Sequence, residues 1–177
     1  MRDEVDPDFA GYVVSRQRRL VRAAYLVCGD EHLAQDLVQQ ALTKLALRWT
    51  RLRDGNPDAY VNRILYRDAV SWWRRVRRER LVASYDTVAD GPAPLTDDAV
   101  RLDVRRALMT LTPRQRAVVV LRYFEDLTEA ETARVLDCTV GTVKSQTSKA
   151  FAKLRIDPAL LDGDAGTERS TERQAQA

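Results

Sequence analysis

Cysteine and histidine are nearly absent from this sequence. Two Cys and one His among 177 residues are too few for a disulfide framework. Cys28 and His32 stand four residues apart with no further ligand type beside them, so no metal site is expected. Glycine (7) and proline (6) are scarce as well, which argues against a loop-rich or low-complexity chain. No apolar run approaches the roughly 20 residues of a membrane span, and no membrane insertion is expected. The opening MRDEVDPDF is acidic and lacks an apolar stretch behind a basic start, so no signal peptide is expected. Nor is there a Gly-rich phosphate loop, a nucleophile elbow or a carboxylate pair in a pocket-like setting. The expectation is a cytoplasmic chain that is not an enzyme, with no catalytic residue and no cofactor.

What is present favours helix. Apolar residues make up 45% of the chain, and Ala, Leu, Val and Arg dominate. The net charge is only +3, but it is unevenly distributed. Residues 61–80 hold 7 basic and 2 acidic side chains, and residues 101–156 hold 11 and 6. Between them, residues 81–100 hold 4 acids and no base. Two basic blocks on either side of an acidic joint suit two modules on one polyanion. Basic runs also occur as plain solvated helix faces.

Apolar spacing predicts helices over 9–27, 31–49 and 57 to about 80, with Gly29-Asp30 breaking the first and residues 50–58 forming a loop. Asn56 can cap the third helix and Pro57 suits its first turn. Residues 83–97, ASYDTVADGPAPLTD, read as a flexible acidic linker. Four further helices follow, over about 98–110, 112–123, 128–136 and 140–155. Thr112/Gln115 and Thr128/Glu131 are both capping-box pairs. Residues 157–177 read as a disordered acidic tail. The fold class is all-α: a three-helix domain (1–82), the linker (83–97), a four-helix domain (98–156) and the tail (157–177).

Residues 128–154 have the grammar of a helix–turn–helix. On the last helix Val140, Val143, Thr147, Ala150 and Leu154 fall on the inward side. Thr142, Ser145, Ser148, Lys149 and Ala152 face outward, with Lys144, Lys153 and Arg155 around them. Small polar residues at the centre of a helix face let it enter a major groove closely; a plain helical hairpin would also tolerate them. On the third helix Arg63, Arg67, Arg74 and Arg78 form an outer stripe with Arg77 beside it, opposite Val61, Leu65, Trp72 and Val76. Guanidinium groups meet phosphates, and an exposed indole can stack on a base or wedge a duplex. Trp72 lies on the inward stripe and reads as core. Trp73 lies to its side and is the better candidate for DNA.

Together these features resemble an extracytoplasmic-function (ECF) sigma factor of bacterial RNA polymerase. Residues 33–49, LAQDLVQQALTKLALRW, are similar to that family's helix for the polymerase β′ clamp. Residues 59–80 are similar to its −10 helix, and residues 101–155 to its C-terminal −35 domain. SWWRR at 71–75 and CTVGTVKSQTSKA at 138–150 are especially like the SigE-like actinobacterial subgroup. The resemblance implies core RNA polymerase (β′ clamp and β flap) and promoter DNA as partners, and leaves room for an anti-sigma factor. It implies a polymerase contact at Asp36, Gln39, Gln40, Thr43 and Leu47, which share a helix face away from the apolar stripe. A polar patch around one apolar side chain suits a protein partner. It also implies that the 50–58 loop holds a base flipped from the −10 strand, where Arg53, Asp54 and Asn56 could bond its edge. One departure is Arg67, where the family's −10 helix often carries Asn. The rival readings are a helix–turn–helix regulator acting without polymerase and a helical adaptor that binds no DNA.

Overall fold

The computed structural model describes residues 6–83 and 99–155, the side chains of 77–83 and 99–102 excepted. Apart from Ala83, the expected linker lies outside the described residues, as does the expected tail. The described residues form helices α1 (Pro7–Cys28), α2 (Glu31–Ala46), α3 (Trp49–Leu52), α4 (Pro57–Ala83), α5 (Ala99–Thr110), α6 (Pro113–Val119), α7 (Glu129–Leu136) and α8 (Val140–Leu154). The fold is all-α.

The chain's own polar residues set the helix ends. Asp6 accepts from the Asp8 and Phe9 amides and Pro7 opens α1. Gly29 closes α1 at φ 76°, with its N–H on Tyr25 O at 2.7 Å. Asp30 then caps α2 through the Leu33 amide at 2.8 Å. Two residues therefore reverse the chain, and α2 returns along α1. Ala23, Ala24 and Val27 meet Ala34, Leu37, Val38, Ala41 and Leu45 in the resulting core. The α4 helix crosses both and contributes Val61, Leu65, Tyr66 and Ala69. Both capping boxes form as their sequence grammar predicts, at Thr112/Gln115 and Thr128/Glu131.

Three local readings need correction. The second helix stops at Ala46 rather than at Trp49, and the short α3 from Trp49 runs through residues 50–52, which the sequence suggested were loop. The intervening turn carries the Trp49 indole back onto Phe9 (5.3 Å) and Tyr12 (5.5 Å), where it closes the N-terminal bundle. The helix expected to run to about Tyr123 widens into a π-helical turn over Val120–Phe124. The buried stripe of α4 is Val61, Leu65, Tyr66 and Ala69, whereas Trp72 is only half-buried. Once α4 is covered from two sides, its buried face is wider than a single stripe.

The two modules pack against each other through a shared buried cluster. Leu108, Leu111, Ala117, Leu121, Val135 and Ala150 belong to the same buried cluster as the α1, α2 and α4 residues. Val118, Ala133 and Val143 form a smaller cluster inside the C-terminal module. Two arginines cross the seam. Arg116, 3% exposed, donates to Val27 O at 2.6 Å and to Leu111 O at 3.2 Å. Arg105, 9% exposed, donates to Gly29 O at 3.0 Å with its guanidinium over Tyr25. Cations at a helix C-terminus meet its partial negative charge, worth about 0.3–2 kcal/mol each. Gly29 also leaves the space that the Met109 side chain fills, since a Cβ there would stand 2.6 Å from the Met109 sulfur.

Tyr66 is fully buried, and its hydroxyl has no hydrogen-bond partner. Tyr66→Phe removes that atom and keeps the ring's shape. Its unfolding free energy by urea titration is expected to match the wild type or exceed it by up to about 1 kcal/mol.

Candidate DNA and polymerase interfaces

The α8 helix is built to present its outer face. Thr139 caps it, accepting from the Thr142 amide at 3.1 Å, and the two threonine hydroxyls bond each other at 2.9 Å. Thr142 therefore sits half-buried within the cap. Val143, Ala150 and Phe151 anchor the inner face. Phe151, stacked 5.2 Å from Tyr123, has an anchoring role that sequence spacing did not assign. Val140 was expected inside but is 39% exposed, while Thr147 and Leu154 are half-buried. Val140 lies in the first turn, ahead of the buried inner-face residues Val143, Ala150 and Phe151. Lys144, Ser145, Ser148, Lys149, Lys153 and Arg155 are all exposed. Lys144 pairs with Glu129 of α7 at 3.6 Å, and Lys153 donates to Thr110 O. Ser145, Ser148 and Lys149 form the open centre of the face.

The turn ahead of α8 takes its left-handed residue from Asp137 (φ 54°), not from a glycine. Gly141 lies inside α8 itself. Cys138 packs half-buried against the Val118/Ala133/Val143 cluster, and burial pushes its thiol above the usual range. Packing as a small apolar residue accounts for it.

On α4 the Arg63, Arg67 and Arg74 side chains are exposed, as the outer stripe requires. The side chains of Arg77 and Arg78 lie outside the described residues. Arg67 stands 3.9 Å from Asp137 of the helix–turn–helix turn. Trp72 and Trp73 meet edge to face at 5.4 Å. Trp73, the residue better suited to DNA from its sequence position, lies 5.3 Å beneath the Arg116 guanidinium. Its indole nitrogen is cut off from solvent and has no hydrogen-bond partner. At the start of α4, Asn56 accepts from the Ala59 amide at 2.8 Å and so serves as its cap. Arg53 is exposed and within 4.0 Å of Asp6, Asp8 and Asp54.

The five residues expected to meet polymerase are all exposed, and Leu47 reaches 83% just past the end of α2. Gln39 and Thr43 line a groove of about 1690 Å³ along α1 and α2. Asp36, Gln40 and Leu47 do not line it. The groove also takes in Arg18 and Arg22 of α1 and Phe124 and Asp126 of the C-terminal module. The run RQRRLVR at 16–22 carries the sequence signal for that basic wall, although the neighbouring apolar stripe masks it.

Two family models match in the order of these surfaces. One described as Sigma-70 region 2 matches residues 13–79, and one described as Sigma-70, region 4 matches residues 101–154. The RNA polymerase sigma-E factor of Streptomyces coelicolor is 36% identical over 173 residues, covering 94% of this chain and 95% of that one. The ECF RNA polymerase sigma factor SigE of Mycolicibacterium smegmatis is 31% identical over 156 residues, 84% of this chain and 61% of the relative. Among solved structures, the sigma factor RpoE of Bartonella quintana, in complex with the anti-sigma factor NepR, is similar with a TM-score of 0.67. It is 26% identical, and the match covers 90% of this chain and 99% of that chain. Such a pair of modules defines a sigma-70-type transcription initiation factor, the class that gives RNA polymerase its promoter recognition. Within that class the chain belongs to the ECF sigma factors of the SigE-like group. Among the described residues no helix is long and apolar enough to cross a membrane.

The cap that positions α7 ahead of α8 is sensitive to acid. Glu131 accepts from the Thr128 hydroxyl (2.7 Å) and amide (2.8 Å), and these bonds hold its carboxyl below the usual glutamate range. A carboxyl lowered by folding stabilises the helix end above its unfolded pKa, and the contribution is lost as pH falls through the folded value. In an NMR titration Glu131 is expected to protonate below an ordinary glutamate. Thr128→Ala removes the hydroxyl but keeps the amide donor, and is expected to raise it part of the way back.

Proposed function

We propose that the α8 face reads the −35 element, that α4 with residues 53–56 engages the −10 element, and that the outer face of α2 docks on core RNA polymerase. In this reading residues 1–82 and 98–156 are the two working modules of a cytoplasmic initiation factor. The carrying observation is the pairing, in one chain, of an open Ser145/Ser148/Lys149 face with an exposed Arg63/Arg67/Arg74 stripe. Small hydroxyl side chains with one ammonium suit base edges, and guanidinium groups on a straight helix suit a phosphate track. Lys144, Lys153 and Arg155 flank the α8 face where phosphates would pass. The β′ clamp is the partner for Asp36, Gln39, Gln40, Thr43 and Leu47, and the β flap the partner for the C-terminal module. The Bartonella quintana protein was solved with an anti-sigma factor, and a partner of that kind is proposed for this chain too.

Run-off transcription with core polymerase on a pool of genomic promoters tests the reading as a whole. Asp36→Arg combined with Leu47→Asp places two mismatched charges on the docking face and none in the core. The double variant is expected to keep its helical circular dichroism and lose core binding. A folded double variant with wild-type affinity rules out this surface.

The −35 assignment divides two sets of residues. Holoenzymes carrying Ser148→Ala, Lys149→Ala or Lys153→Ala are offered a randomised −35 library. Losing a base contact costs about 1–3 kcal/mol at one position and relaxes the preference there. Losing a phosphate contact weakens all sequences alike and lowers the salt slope by about one unit. The Ser148 and Lys149 variants are expected to change the selected sequence, and the Lys153 variant only the affinity. If all three select the wild-type sequence, α8 is not the reader.

A further inference from the structure

The groove along α1 and α2 joins an apolar floor to a basic wall. Val13, Val21, Val38 and Leu42 line it together with Arg18 and Arg22. The two arginines stand one turn apart on α1 and are exposed. Arg16 and Arg19 beside them pair with Asp58 and Glu125, whereas Arg18 and Arg22 have no ion-pair partner among the described residues. Glu31 and Asp126 also line the groove, and Gln35 bonds Glu31 at 3.5 Å. The positive charge is therefore confined to the Arg18/Arg22 wall. At about 1690 Å³ the groove is larger than the roughly 300–1,000 Å³ of a small-molecule pocket. Its size suits a peptide segment that is apolar on one side and acidic on the other.

The chain itself supplies such a segment next to the groove. Phe151, one turn before the end of α8, packs 5.2 Å from Tyr123, whose sequence neighbour Phe124 lines the groove. Lys153 donates to Thr110 O at the end of α5, and Arg105 of α5 lies over Tyr25, another lining residue. The chain thus leaves α8 beside two elements that border the groove. The residues that follow, IDPALLDGD at 156–164, carry Ile156, Leu160 and Leu161 among Asp157, Asp162 and Asp164, with no basic side chain. Six extended residues reach roughly 20 Å, enough to carry Leu160 and Leu161 over the edge formed by Phe124.

We propose that residues 156–164 dock in the α1/α2 groove of their own chain, with Ile156, Leu160 and Leu161 on the apolar floor and the aspartates against Arg18 and Arg22. Gln39 and Thr43 lie on the edge of this groove and also on the face read as the polymerase contact. The docked segment covers that edge and leaves Asp36, Gln40 and Leu47 open, so it narrows the polymerase face without closing it. This consequence, unlike the docking, rests on the polymerase reading of α2.

The test uses the full-length chain with Cys28 and Cys138 changed to Ala and a nitroxide at Ala165→Cys. Paramagnetic broadening of backbone amides reports where the segment lies. It is expected at Val21, Arg22, Leu42 and Thr43, and α7 is expected to be spared. Leu160→Asp with Leu161→Asp is expected to abolish the broadening. Arg18→Glu with Arg22→Glu is expected to abolish it too, and adding Asp157→Lys and Asp162→Lys to that variant is expected to restore it. The restoration separates lost docking from lost folding, and helical circular dichroism checks each variant. An absence of broadening in the groove overturns the proposal, as does broadening that survives both double variants. An isotope-labelled chain without nitroxide, mixed with an unlabelled chain that carries it, tests for a second copy; broadening there as strong as within one chain also overturns the docking in cis. Core polymerase is then titrated with the Leu160→Asp/Leu161→Asp chain, which is expected to bind roughly twofold to fivefold tighter than wild type, as freeing a partly covered face requires. Unchanged affinity overturns the narrowing, provided Asp36→Arg with Leu47→Asp still abolishes core binding. If that variant keeps wild-type affinity, the polymerase reading of α2 falls and the narrowing with it, while the broadening still decides the docking.

Discussion

The buried guanidinium of Arg116 is the contact on which the arrangement of the whole chain depends. It binds the carbonyl of Val27, near the end of α1, and the carbonyl of Leu111, between α5 and α6 of its own module. Beside it, Arg105 binds Gly29 O. Both donors reach the same helix end, where main-chain carbonyls have no intrahelical partner. That end is open to them because Gly29 adopts a left-handed backbone and presents no side chain to Met109. A two-residue reversal between α1 and α2 therefore does two jobs. It folds the N-terminal bundle and forms the receptor for the C-terminal module.

This contact changes what the basic residues mean. Of the basic side chains in 101–156, Arg105 and Arg116 face inward, and Lys153 donates to the Thr110 carbonyl. Those three are occupied inside the chain in this arrangement. The open cations of the C-terminal module include Lys149 and Arg155, with Lys144 half-committed to Glu129. The same holds on α4, where Arg67 faces a carboxylate but Arg63 stands clear. Arg67 is thus claimed both by the proposed −10 contact and by the C-terminal module, while Arg105 and Arg116 serve the contact between the modules.

The α1/α2 groove and the outer face of α2 are independent of most of that competition. Asp36, Gln40 and Leu47 stay exposed while the modules are together. The proposed polymerase contact therefore uses a surface that is already open, as is the Ser145/Ser148/Lys149 face of α8, whereas the part of α4 around Arg67 and Trp73 meets the C-terminal module.

Much of this was legible in the residues alone. Asn56, Thr112 and Thr128 mark helix starts by local chemistry, so their roles follow from a few neighbouring positions. The helix–turn–helix and its Ser145/Ser148/Lys149 face follow from helical spacing for the same reason. Spacing put Trp72 inside and Trp73 to its side, yet both are half-buried and the Trp73 nitrogen is shut in under Arg116, because the covering element decides which indole is enclosed. Arg105 and Arg116 look like surface residues in sequence, since nothing nearby records that a distant helix end will offer them carbonyls. The turn at 47–48, which sends Trp49 back to Phe9 and Tyr12, is likewise a long-range event. Local order was fixed by capping and periodicity. The burial of particular cations and aromatics was decided only when helices far apart in sequence closed on one another.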